Sequence, residues 1–165
     1  MTEETQTVKL QKYCLTLYGV YAASAVLQFS EYTVLPGLLL LTIAYFHGNS
    51  KRKTAADTPY ASHLRWLGRT FWIGSGVIAP VAVLISTGLI LVFTDISQIA
   101  SAMSGNDPDL LMANVQNYIM QNAGKVGLLT VVTAVPTALW WLHRCWQGYV
   151  LAKEGRPVDN VTRWL

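Results

Sequence analysis

Residues 71–93 read FWIGSGVIAPVAVLISTGLILVF, twenty-three residues without a single charge. A helix of about 20 residues crosses ~30 Å of hydrocarbon at ~1.5 Å per residue, so this stretch is long enough to span a bilayer. One such helix could sit in the core of a soluble protein. The second apolar run, 126–146, makes that untenable, because a 165-residue chain has too little polar structure to cover both. Composition agrees. The chain is 52% hydrophobic and 13% charged, against about 25% charged for a soluble domain. Its mean hydropathy is +0.33. A soluble enzyme and a disordered tail are both disfavoured, and one domain of a few elements fills the length.

Two shorter runs, 13–29 and 32–46, precede these. They can cross a locally thinned bilayer with snorkelling ends, or form a re-entrant hairpin through the short Ser30–Glu31 connection. Charge favours full crossings. With four spans at 13–29, 32–46, 71–93 and 126–146, eleven of the twelve Lys and Arg residues fall on one side. Only Lys125 falls on the other, with Glu31, Asp95, Asp107 and Asp109. The balance is +6 on the first side and −3 on the second. Lys/Arg bias orients membrane proteins with the basic side inward. The expected fold is therefore all-α, a four-helix integral membrane bundle with both termini cytoplasmic. The N-terminus, MTEETQTVKLQKY, has no basic stretch leading into an apolar run and a cleavage site, so no cleaved signal is expected.

Local signals refine this frame. Thr58-Pro59 reads as a helix start, the threonine capping free amides and the proline occupying the first turn. That helix should run directly into the third span, with Ser62, Arg65 and Arg69 on one face. Trp66, Phe71, Trp72, Trp140, Trp141 and Trp146 sit at the expected cytoplasmic interface. Pro80 and Pro136 lie ~14–15 Å from that interface, near the midplane, and each favours a kink. Their freed carbonyls, Gly76 and Val132, need partners in lipid, with Ser75, Thr133 and Thr137 as candidates. Gly19-x-x-x-Ala23, Gly74 with Gly76, and Gly124 with Gly127 suggest close helix packing. In the 94–125 loop, Asp107-Pro108 reads as a cap. Leu111, Val115, Tyr118, Ile119 and Ala123 then recur at the spacing of an amphipathic interfacial helix. Ile96, Ile99, Ala100 and Met103 suggest a second.

Chemistry is sparse. Cys14 and Cys145 match neither a disulfide framework nor a zinc pattern. With His47, His63 and His143 they share the cytoplasmic boundary, but no pair has ligand spacing. Ser62-His63 is no catalytic dyad, since neighbours on a helix point apart. No nucleophile elbow, P-loop or zinc-protease motif occurs. The spans hold no Asp or Glu, and no Lys, Arg or His except at their ends, unlike those of pumps and coupled transporters. No enzyme activity, cofactor or metal is expected, and a net charge of +3 does not suggest nucleic acid. The basic inner face should attract anionic lipid at about 1 kcal/mol per well-placed Lys or Arg. Arg65, Arg69, Trp66 and Arg144 are the candidate lipid- or partner-binding residues, Arg65 and Arg69 foremost because guanidinium can fork onto phosphate oxygens. The Lys51–Lys53 run is expected mainly to set orientation.

The stretch 57–74, DTPYASHLRWLGRTFWIG, resembles the SH-x-RW-x-x-RTFWIG signature of a family of small proteobacterial inner-membrane proteins. That domain-of-unknown-function family is distantly related to the chloroplast inner-envelope protein-import component. Residues 144–149 (RCWQGY), 154–157 (EGRP) and 43–45 (IAY) are similar to the same group. The resemblance covers most of the chain and is weakest over 94–125. It implies a four-helix membrane domain with cytoplasmic termini and no catalytic residues. A translocation role would be analogy of fold alone. The leading expectation is an accessory protein that joins a larger membrane complex or itself. A passive pore and a haem-binding redox protein are the alternatives.

Overall fold

The computed structural model describes residues 3–28, 32–95, 97, 100 and 108–159. It is helical, with no strand among the described residues. The elements are α1 (Glu3–Leu27), α2 (Val34–Ser50), α3 (Tyr60–Ile73), a π-helical turn (Gly74–Ile78), α4 (Ala79–Phe93), α5 (Pro108–Gln121) and α6 (Ala123–Lys153). The chain divides into two compact units, Met1–Ile78 with Ala138–Leu165, and Ala79–Thr137.

The first unit holds most of the buried residues. Helix α1 turns Leu10, Cys14, Leu17, Tyr18, Tyr21 and Ala25 inward, a stripe at steps of three and four residues. Helix α2 answers with Gly37, Leu41, Ala44 and Gly48, small at three positions so that backbones can approach. A Cβ on Gly37 would sit 3.0 Å from Leu27 Cβ, and one on Gly48 would sit 3.3 Å from Leu17 Cδ1. Such approach multiplies dispersion contacts, which suits helix packing with or without water. Helix α3 buries Tyr60, His63, Leu64, Trp66, Leu67 and Thr70. The end of α6 buries Trp141, Arg144, Cys145, Gly148 and Ala152.

That end is closed by two bonds, Arg156 N–H to Leu151 O (3.0 Å) and Gly155 N–H to Ala152 O (3.2 Å). Gly155 has φ +69°. This is a Schellman motif, in which the left-handed residue is glycine because a Cβ would be strained there. The chain past it is pinned back: Val158 N–H donates to Ser62 Oγ at 2.9 Å, and Gln11 Nε2 donates to the carbonyls of Ala152 and Lys153.

In the second unit, Ser86 and Thr133 share a hydroxyl–hydroxyl hydrogen bond of 2.5 Å between α4 and α6. Tyr118 of α5 donates to Thr94 Oγ1, which donates to Ile90 O. Helix α4 buries no residue at all. Two helices, Tyr60–Phe93 and Ala123–Lys153, are long and apolar enough to cross a membrane. Their most apolar windows are 0% and 6% buried. Helix α2 is apolar but shorter, at 17 residues.

Several local expectations are corrected. The helix does start at Pro59–Tyr60, but Thr58 makes no cap; its hydroxyl donates backward to Ala55 O. Ser75, Thr133 and Thr137 do not serve the carbonyls freed by Pro80 and Pro136. Each donates to a carbonyl four residues back, Phe71, Leu129 and Thr133 respectively. Ahead of Pro80 the helix widens into the π turn, which changes the ladder where the proline leaves it incomplete. Gly19, Gly124 and Gly127 pack against nothing, whereas Gly74 lies under the Trp141 ring. In α5, Leu111 and Val115 are half-buried and Tyr118 buried, but Ile119 faces outward. Asp107 and the proposed short helix at 96–103 lie outside the described residues, save Ser97 and Ala100.

Candidate functional site

The four candidate binding residues separate into two environments, both within the first unit. Trp66 and Arg144 are interior. Arg144 is fully buried, its guanidinium 3.7 Å above the centroid of the Trp66 ring and 5.3 Å from that of Trp140. Its Nε donates to Thr70 Oγ1 at 3.1 Å, and Thr70 donates on to Trp66 O. Trp66 Nε1 donates in return to the Arg144 carbonyl at 3.2 Å. Each residue thus holds the other's side chain and backbone. A desolvated guanidinium stacked on indole gains about 2 kcal/mol, which makes this pair part of the packing that joins α3 to α6.

Beside it, His63 is also fully buried. Tyr18 Oη lies 3.0 Å from His63 Nδ1, and Arg156 O lies 2.7 Å from Nε2. A carbonyl only accepts, so Nε2 carries the proton and Nδ1 accepts from the tyrosine. Burial lowers the pKa of the ring and so favours this neutral form, opposed by the bond to Arg156 O. Residues 57–74 and 154–157 therefore meet here. Tyr18 lies so close to Gly148 that a Cβ there would be 2.3 Å from its Cζ and hydroxyl.

Arg65 and Arg69 face outward from this core. With Tyr45, Arg52, Gly68 and Trp72 they line a cleft of about 380 Å³ between α2, the turn after it, and α3, within the size range of ligand sites. Arg65 is exposed and directs Nε to Ala61 O at 3.4 Å. Arg69 is half-buried, and its Nε is buried with no hydrogen-bond partner. Arg52 donates to Asn49 Oδ1 at 3.1 Å. Among the described residues none of the three pairs with a carboxylate. Arg69 also lies near enough to Arg144 for their charges to repel. The aromatic wall is held in place: Trp72 Nε1 donates to Tyr45 Oη at 2.9 Å, and Tyr45 stacks on Phe71 at 4.3 Å.

The pairing of Arg65 with Arg69 was read from the sequence; Arg52 was not. It sits in a run of three basic residues expected mainly to set orientation, and nothing in the run marks its middle member as facing a cleft. His47 contacts Tyr13 at 2.8 Å and His143 contacts Gln147 at 2.8 Å. Cys14 and Cys145 are buried free thiols, and among the described residues no three His, Cys, Asp or Glu side chains gather into a metal site. The cleft offers fixed positive charge, forked donors and aromatic surface, the chemistry of an anion site. No protein-family model, curated protein or solved structure matches the chain.

Proposed function

We propose that the protein is a small multi-pass protein of a bacterial inner membrane, with both termini cytoplasmic. In this reading it is an accessory subunit without chemistry of its own that assembles with a larger membrane complex or with copies of itself. The observation that carries the reading is the uncovered apolar surface of the two long helices, above all α4, which buries no residue. Water would penalise that surface at about 25 cal/mol per Å². Lipid or a partner helix removes the penalty. The one-sided basic charge supports four crossings and an inward basic face. For α1 and α2 this requires snorkelling ends or a thinned bilayer. The exposed apolar residues of α5, Leu110, Met112 and Met120, suit a helix at the outer interface.

Topology and assembly are tested separately. In a background lacking Cys14 and Cys145, Asp109→Cys should react with an impermeant thiol reagent in intact cells, and Lys51→Cys only after lysis. Equal labelling refutes the threading. Blue-native electrophoresis after mild extraction should give a species larger than the monomer; a lone monomer across several detergents refutes the accessory role. The competing readings are distinguished by other measurements. A passive pore gives solute flux that changes in Pro80→Ala or Pro136→Ala, and a haem protein gives a Soret band. The Ser86–Thr133 bond favours packing over a pore, since Thr133 donates to Leu129 O and accepts from Ser86, which leaves neither hydroxyl proton for a permeant solute.

A further inference from the structure

We propose that the cleft of Arg52, Arg65 and Arg69 is a binding site for the headgroup of a lipid that carries two phosphates. The proposal rests on the membrane reading above, and names the ligand of the site. Three observations lead to it.

The first is charge. Three guanidiniums line one cavity of about 380 Å³, and no carboxylate among the described residues neutralises any of them. Arg144 adds a fourth positive charge behind Arg69. A single phosphodiester brings one negative charge and leaves most of this field uncompensated. Two phosphates on one headgroup bring two charges into the same space, and each can accept a forked pair of N–H bonds.

The second is an orphaned donor. Arg69 Nε is out of reach of solvent and makes no hydrogen bond. A buried N–H left unmade costs about 1–3 kcal/mol, more for a charged group. In the bound state the Arg69 side chain turns toward the headgroup, so that one phosphate engages Nε together with a terminal nitrogen of the same plane and removes that cost.

The third is the rim, which selects a lipid over a soluble anion. Trp72 lines the cleft yet is 61% exposed, fixed through its bond to Tyr45. Phe46, whose ring lies 5.3 Å from that of Tyr45, is also exposed. An indole with its polar edge already bonded to a protein hydroxyl presents a ring to apolar neighbours, and acyl chains supply them. Inorganic phosphate has nothing to place there.

The test is native mass spectrometry of the delipidated protein in detergent. The probes are diphosphatidylglycerol, phosphatidylglycerol, phosphatidylcholine and inorganic pyrophosphate. Diphosphatidylglycerol should bind about tenfold more tightly than phosphatidylglycerol, and phosphatidylcholine should not bind specifically. The double variant Arg65→Lys/Arg69→Lys keeps charge but not the fork, and should lose about tenfold for the two-phosphate lipid. Lys51→Gln/Lys53→Gln should weaken both anionic lipids alike and leave their ratio unchanged. Equal affinity for one- and two-phosphate lipids overturns the proposal, as does full retention by the double lysine variant. Pyrophosphate binding as tight as the lipid overturns the lipid assignment, leaving a soluble-anion site. The unfolding temperature of each variant is measured alongside, and Arg52→Lys, on the turn and outside the packed core, is the second variant should the first misfold. The membrane reading fails on a different result, recovery of the protein from the soluble fraction without detergent.

Discussion

Substituting Gly148 by alanine adds one methyl group to a helix whose propensity favours alanine by about 0.8–1 kcal/mol. The surroundings reverse the sign. The new Cβ would lie 2.3 Å from Tyr18 Cζ and 2.4 Å from its Cε1, inside any real contact distance, and Tyr18 is buried among α1, α3 and α6. Its ring cannot swing clear without releasing His63 Nδ1. Overpacking a filled core costs about 1–3 kcal/mol, and an unmet buried acceptor adds about 1–3. Less the propensity gain, the net is about 3 kcal/mol. At about 2–4 °C per kcal/mol for a chain of this size, the unfolding temperature should fall by roughly 6–12 °C. The buried thiols of Cys14 and Cys145 provide the assay, since a thiol-reactive fluorophore in detergent reports their exposure on heating. Gly19→Ala is the matched control: a Cβ there meets nothing within 4 Å, so it should leave the temperature unchanged or raise it. A Gly148→Ala protein that melts with the wild type would refute the reasoning.

Other outcomes follow from the same core. His63 is buried neutral with its pKa lowered, so the unfolded chain binds the proton more readily. Stability is complete above the unfolded value of about 6.5 and declines as pH falls through it; a melting temperature flat from pH 7.5 to 5.5 contradicts this, and His63→Gln should abolish the slope. Arg144→Lys keeps the charge but loses the planar stack on Trp66, and should cost about 2 kcal/mol in thermal unfolding; wild-type stability in this variant would remove the clamp. For Ser86 and Thr133, alanine at either site should cost about 0.6 kcal/mol and the double variant little more, because one shared bond is lost once; a double-mutant cycle showing additive losses would deny the pairing.

What was legible in the sequence is what depends on a run of like residues. The charge-free stretch 71–93 and the apolar run 126–146 became the two long exposed helices, and Thr58-Pro59 marked where the first of them starts. What was not legible depends on the direction a side chain takes about its helix. Arg144 lies at the end of an apolar run among tryptophans, which suits an interfacial anchor. Yet Trp141, Arg144, Cys145, Gly148 and Ala152 form one stripe at steps of three and four, and that stripe turns inward. The small residues at 148 and 152 were the available signal. Likewise Gly19 and Ala23 have the spacing of a packing motif but stand on the outer side of α1, while α2 supplies the close approach through Gly37 and Gly48. Spacing tells which residues share a face. Only the partner tells which face is covered.

The joining of the first unit from both ends of the chain has a consequence for its synthesis. Residues 1–78 leave the ribosome with the slot for Arg144 vacant and His63 without the carbonyl of Arg156, 93 residues downstream. At ~5–20 residues per second that carbonyl is made roughly 5–20 s later. Throughout this interval α1–α3 hold an aromatic and polar seam that nothing yet closes, while 79–137 is being made. Residues 138–159 are therefore the keystone of a domain begun far upstream. A nascent chain stalled before Arg144 leaves that seam open, for quality control to read as an unfinished protein.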